Sequence, residues 1–111
     1  MEITIKALQA YLLDRYGGWA TEQSMFMKLV EELGETAEIL NKKAGRKAAG
    51  GEDLQRELGM ELADMIHYIV AIAALNHIDL TGVIFEKDKA ASVKYHHENN
   101  LEMFLGNMNK K

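Results

Sequence analysis

The sequence predicts an all-α protein, an antiparallel helical bundle of four to five helices built around a central helix hairpin. Three observations lead there. Proline is absent from the 111 residues, and the abundant Ala, Leu, Met, Glu and Lys favour helix nearly everywhere. Apolar residues recur at three- and four-residue steps, the period of a helix with one buried face. Two pairs of acids, Glu32/Glu35 and Glu61/Asp64, stand symmetrically about position 48, inside the only Gly/Lys-rich break in the middle of the chain.

The elements follow in order. A first helix is expected from Ile3 to Tyr16, stopped by Gly17-Gly18. A second starts after Thr21 as N-cap and runs to Lys43. Its residues Phe26, Val30, Leu33, Ala37 and Leu40 have the 4-3-4-3 spacing of a hairpin or bundle seam. Residues 44–51 (AGRKAAGG) form the turn. A third helix spans Asp53 to Asn76, with Leu54, Leu58, Met65, Ile69 and Ile72 on one face. Asp79 reads as the N-cap of a fourth helix, Leu80 to Tyr95. His96 to Asn100 is a break before a short C-terminal helix.

Length and composition bound the rest. A chain of 111 residues is read as a single domain, residues 1–111. A domain this small, 48% hydrophobic, leaves apolar surface over, so a homo-oligomer, dimer or tetramer, is expected. The net charge of −4 argues against nucleic acid or an anionic membrane as partner. Cysteine is absent, which excludes disulfides and thiolate metal sites. The N-terminus MEITIKALQA lacks a basic stretch followed by an apolar one, so no signal peptide is expected. The apolar run Met65 to Leu75 contains His67 and is too short to span a bilayer. An intracellular, cytoplasmic protein is the expectation.

The acids carry the chemistry. Each pair is spaced i,i+3, which puts its two side chains on one helix face. Folding the hairpin at position 48 sets Glu32 against Asp64 and Glu35 against Glu61. Carboxylates crowded at about 5 Å repel by roughly 3 kcal/mol per pair at an effective dielectric near 20. Protons or cations must neutralise such a cluster, and oxygen-only ligands favour Mg²⁺, with Mn²⁺ as an alternative, over zinc.

Helical angles separate unusual acids from ordinary ones. Glu31, Glu35 and Glu38 share one side of the second helix, which is usually a solvated face. Glu32 differs, because Met25 and Ile39 flank it at nearly the same angle. Glu61 falls inside the apolar stripe of the third helix, and Asp64 lies at its edge. A charge there is costly unless paired, yet neither acid has a Lys or Arg at i±3 or i±4. Lys28 could reach Glu32 at i+4. Gly34 and Gly59, each costing roughly 1 kcal/mol inside a helix, sit near the level of the acids and suggest close backbone approach.

Glu31-Glu32-Leu33-Gly34-Glu35, followed after 25 residues by Glu61-Leu62-Ala63-Asp64, resembles the EExxE…ExxD signature of the MazG-like, all-α nucleotide pyrophosphohydrolase superfamily. The segments KLVEELGETAEIL and ELADMIHYIVAIAALNHIDL extend the likeness over residues 19 to 89. The resemblance implies Mg²⁺-dependent cleavage of the α–β phosphoanhydride of a nucleoside triphosphate, giving a monophosphate and pyrophosphate. It implies Glu32, Glu35, Glu61 and Asp64 as metal ligands, with Glu31 as a further ligand or as the base orienting the water. It also suggests Trp19 for stacking on the base, Tyr68 for sugar or base, and Lys87 for a phosphate. For Trp19 and Tyr68 core packing is the competing reading; for Lys87 it is simple solvation. Relatives often carry an asparagine where this chain has Ala91, so base specificity is left open.

Other constellations are weaker. Asp64-Met65-Ile66-His67 has the acid-x-x-His spacing of di-iron bundles, but in a single copy, with His67 turned away from the apolar face. Lys42, Lys43, Arg46 and Lys47 cluster at the hairpin tip, about 12–15 Å along the helices from the acids. They read as a solvated turn, or as a surface facing another subunit's triphosphate. The leading function is removal of unwanted (d)NTPs. Phosphoribosyl-ATP pyrophosphohydrolase of histidine biosynthesis and a non-catalytic helical module are the alternatives.

Overall fold

A computed structural model describes residues 1–110, and every regular element among them is helical. The helices are α1 (Ile5–Tyr16), α2 (Glu22–Lys43), α3 (Leu54–Leu75), α4 (Leu80–Lys94) and α5 (Leu101–Met108). Each begins at a side-chain cap. Thr4, Thr21, Asp53, Asp79 and Asn100 accept from the backbone N–H three residues on, a device worth about 1 kcal/mol per helix. The α1 stop is steric. A Cβ on Gly17 would lie 2.5 Å from Leu13 O, and Gly18 adopts φ +92°, a conformation glycine reaches without strain.

The chain divides into two compact units, Met1–Ile78 and the residues from Asp79 onward. In the first, α2 and α3 form the hairpin and α1 packs on α3. Leu12 and Val70 are fully buried, with Ala71 and Ala74 beside them; small residues let two helices approach closely. In the second unit α4 packs on α5, and Asp88 accepts from the backbone N–H of Leu101 at 2.7 Å, tying the entry of α5 to α4.

The hairpin differs from the expected seam. Met25, Thr36 and Ile39 are the buried residues of α2, whereas Phe26, Val30, Leu33 and Leu40 are exposed. The stripe facing α3 is therefore the adjacent one, 25-32-36-39, which includes Glu32. Periodicity singled out the more apolar row, and the adjacent, less apolar one turned inward. Gly34 and Gly59 likewise have open space where a Cβ would stand, so no close approach within the chain explains them.

Three of the four basic residues at the hairpin tip are paired locally. Lys42 meets Glu52 at 3.2 Å, Lys47 meets Glu38, and Lys43 donates to Gln55. The Lys47 ammonium, bonded to Glu38 and reinforced by charge, holds that carboxyl below its ordinary range. The whole of α3 also exceeds the short apolar run considered above. By length and composition it is apolar enough to cross a membrane, although it packs against both α1 and α2 and carries Glu61, Asp64 and His67.

Candidate functional site

Hairpin geometry brings three of the acids to one point. Glu32 on α2 and Glu61 and Asp64 on α3 each offer a carboxylate oxygen, and these oxygens lie within 4.8 Å of one another. Glu32 and Glu61 are half-buried and Asp64 is exposed, so the cluster has an inner wall and an open mouth. Glu32 Oε2 and Glu61 Oε2 are buried without any hydrogen-bond donor. Buried acceptors without partners are costly, and a carboxylate is the costliest kind.

The cost appears in the protonation equilibrium. Glu61 is pushed up to about 7, first by the neighbouring Glu32 carboxyl, then by burial, then by Glu35. Glu35 thus borders Glu61 as the fourth acid, on a side chain otherwise exposed to solvent. Among the described residues no lysine or arginine forms an ion pair with the cluster: Lys28 turns to Glu31 at 3.6 Å rather than to Glu32. That pairing places Glu31 on the solvated side of α2, outside the three-acid group.

Oxygen donors, lack of counter-charge and unsatisfied buried lone pairs fit a hard divalent cation. Glu32, Glu61 and Asp64 would hold it, with Glu35 within reach through Glu61.

Beside the acids lies a chain of rings. Tyr68 is half-buried. Its hydroxyl is raised above its ordinary range, chiefly by burial, then by Tyr16, with Glu32 and Asp64 adding to the effect. His67 meets Tyr68 edge-on at 5.1 Å and Tyr16 at 5.6 Å, and its Nε2 shares a 2.8 Å hydrogen bond with Tyr16 Oη. Tyr16 in turn lies 5.6 Å from Trp19. Trp19 is 70% exposed, held by a 2.8 Å bond from its Nε1 to Arg15 O. Its ring lines a cleft of about 510 Å³ with Thr21, Glu22, Leu75 and Asn76, which is large enough for a small-molecule fragment.

The sequence reading singled out Trp19 and Tyr68 but passed over Tyr16 and considered His67 only as an iron ligand. The structure joins His67 to Tyr16 instead of turning it toward the acids. Its phase away from the apolar face suggested solvent, whereas the structure half-buries it against Tyr16 of α1. Lys87 is exposed on α4, in the second unit.

Fold and site define a class: an all-α protein that presents a cluster of carboxylates on a helix hairpin. The chain belongs to the MazG nucleotide pyrophosphohydrolase family, whose domain model matches residues 20–96. No curated protein and no solved structure shows significant similarity to it.

Proposed function

We propose that the chain is a Mg²⁺-dependent pyrophosphohydrolase of (d)NTPs, cleaving the α–β phosphoanhydride to a nucleoside monophosphate and pyrophosphate. It would act in the cytoplasm as a homo-oligomer that clears unwanted nucleotides. The observation carrying this reading is the juxtaposition of Glu32, Glu61 and Asp64 around two buried carboxylate oxygens that lack donors, in a chain of a nucleotide pyrophosphohydrolase family.

The cation supplies charge neutralisation for the triphosphate and a more acidic water. This chain's residues do the rest. Glu32, Glu61 and Asp64 fix the charge at one point on the hairpin, and Glu35 extends the anionic wall at Glu61. Trp19 offers an exposed ring face for a base. Tyr68, adjoining Glu32 and Asp64, would contact the sugar or the base. Glu31 keeps solvent access for a role with water, and Lys87 is offered as a phosphate contact on residue type alone.

The test is pyrophosphate release across canonical dNTPs and NTPs, modified nucleotides and phosphoribosyl-ATP, with Mg²⁺, Mn²⁺ or EDTA. Turnover of one or more (d)NTPs, lost in EDTA, is expected. Turnover confined to phosphoribosyl-ATP would replace the substrate assignment. Release of orthophosphate instead of pyrophosphate would refute the bond cleaved.

A further inference from the structure

We infer that Glu22 and Asn76 read the edge of the base that Trp19 stacks, and that the edge they select is the one guanine carries. This selection rests on Trp19 as the stacking ring, as proposed above, and adds the substrate class. All three residues line one cleft of about 510 Å³, at the end of the hairpin where α2 begins and α3 stops. That is room for a purine ring system.

Hydrogen bonds already made leave the cleft rich in acceptors. Asn76 Nδ2 donates to Glu22 Oε2 at 2.6 Å and to Ile72 O at 2.9 Å, which uses both amide hydrogens. Both partners are acceptors, so the amide stands only this way round. Among the described residues, nothing donates to Asn76 Oδ1 or Glu22 Oε1, and no lysine or arginine pairs with Glu22. Trp19 adds a ring face and no donor, because its Nε1 is held by Arg15 O at 2.8 Å. Thr21 Oγ1 accepts from the backbone N–H of Ser24 at 3.1 Å and keeps its own proton for a carbonyl oxygen.

Two acceptors tied together by one bond, with a hydroxyl in the same cleft, choose among bases by the Watson–Crick edge of each. Guanine carries N1–H and the 2-amine side by side, with O6 next to them for the hydroxyl. Adenine and cytosine set an amine beside a bare ring nitrogen, whose lone pair would meet the second acceptor. Uracil and thymine hold one N–H between two carbonyl oxygens, which would also face acceptors. Polar groups left unpaired in this way discriminate more strongly than ring size does, and the charge of Glu22 strengthens the bond it accepts. Ten residues separate Glu22 from Glu32, about 15 Å along α2 by helical rise. A nucleotide and the side chains at either end cover that span together, beside the rings of Tyr16, His67 and Tyr68.

Trp19 is the only tryptophan, so its fluorescence reports this cleft without any hydrolysis. The full chain with Mg²⁺ is titrated with GMP, IMP, AMP, CMP and UMP, each up to about 10 mM. GMP should quench with a dissociation constant at least about tenfold below those of AMP, CMP and UMP. IMP, which lacks only the 2-amine, should bind about three- to tenfold more weakly than GMP. Glu22→Gln, at an exposed position, turns one acceptor into a donor. It should weaken GMP at least about tenfold and leave UMP no weaker. Equal constants for GMP and UMP, IMP as tight as GMP, or an unchanged GMP constant in Glu22→Gln overturns the assignment. The IMP comparison needs no variant, so it decides even where Glu22→Gln fails to fold. Absence of quenching by every nucleotide overturns the assignment as well, whatever pyrophosphate release shows. Guanine-selective quenching in a protein that releases no pyrophosphate upholds the base site and refutes only the cleavage.

Discussion

Glu32 and Glu61 face each other across the hairpin with a buried, donorless oxygen each, and Glu61 consequently titrates near 7 rather than at its ordinary 4.5. The folded state holds this proton more tightly than the unfolded chain between those two values. Stability from this group is fully present below pH 4.5 and is lost as pH rises through 7. In EDTA, thermal melts should therefore show Tm falling over that window. Glu61→Gln should flatten the profile. Mg²⁺ competes with the proton, so its stabilising shift should grow with pH for the wild type and shrink in Glu61→Gln. A shift with Mg²⁺ that is equal in the two proteins would contradict a metal ligand at Glu61.

Asp64 occupies the open mouth of the same cluster. Asp64→Asn removes one repelling charge while retaining the shape of the side chain. The fold should be unchanged or slightly firmer, and pyrophosphate release should drop on the order of a hundredfold or more, beyond the loss typical of residues that only orient ligands. Activity above a few per cent of wild type would remove Asp64 from the ligand set.

The degree to which this site was legible in the sequence follows from what helical periodicity encodes. Caps and breaks are local, so Thr21, Asp79 and Gly17-Gly18 marked the elements to within a residue or two. The acids were legible because i,i+3 pairs and a symmetric gap are geometric statements once the chain folds at its middle. What periodicity does not encode is which of two adjacent stripes faces inward. Phe26, Val30, Leu33 and Leu40 form the more apolar row and were expected inside, yet Met25, Thr36 and Ile39 are buried. Burial in a lone chain and burial in an assembly leave the same apolar signature. Tyr16 was missed for a different reason: its partner His67 lies 51 residues away, and no local pattern announces such a contact.

Trp19 is anchored by one hydrogen bond to Arg15 O and leaves most of its ring in solvent. Trp19→Ala should thus barely change stability. Base stacking on an aromatic ring contributes about 1–3 kcal/mol, so KM should rise on the order of tenfold with a smaller effect on kcat. A variant that unfolds would show instead that the ring is structural.

The 2.8 Å bond between Tyr16 Oη and His67 Nε2 links α1 to α3 in a half-buried setting. Tyr16→Phe keeps the ring contacts and deletes the hydroxyl, leaving one nitrogen unsatisfied. A loss of about 1 kcal/mol is expected, seen as a Tm lower by about 4 °C in a domain of this size. The His67 imidazole signals should shift in NMR spectra. Unchanged imidazole signals would mean that the bond is not formed in solution.

His77 closes α3 in a left-handed conformation, φ 54°. Its own N–H bonds Ala74 O, and that of Ile78 reaches back to Ala73 O, the pattern in which glycine is the usual occupant. A side chain in this region costs about 1 kcal/mol relative to glycine. His77 is exposed, so little packing is lost when its ring is removed. His77→Gly should therefore stabilise the fold by about 0.5–1 kcal/mol and raise Tm by a few degrees, whereas His77→Ala, which retains the Cβ, should not. Differential scanning calorimetry of the two variants separates backbone strain from any contribution of the imidazole, because both lack the ring and only one relieves the strain.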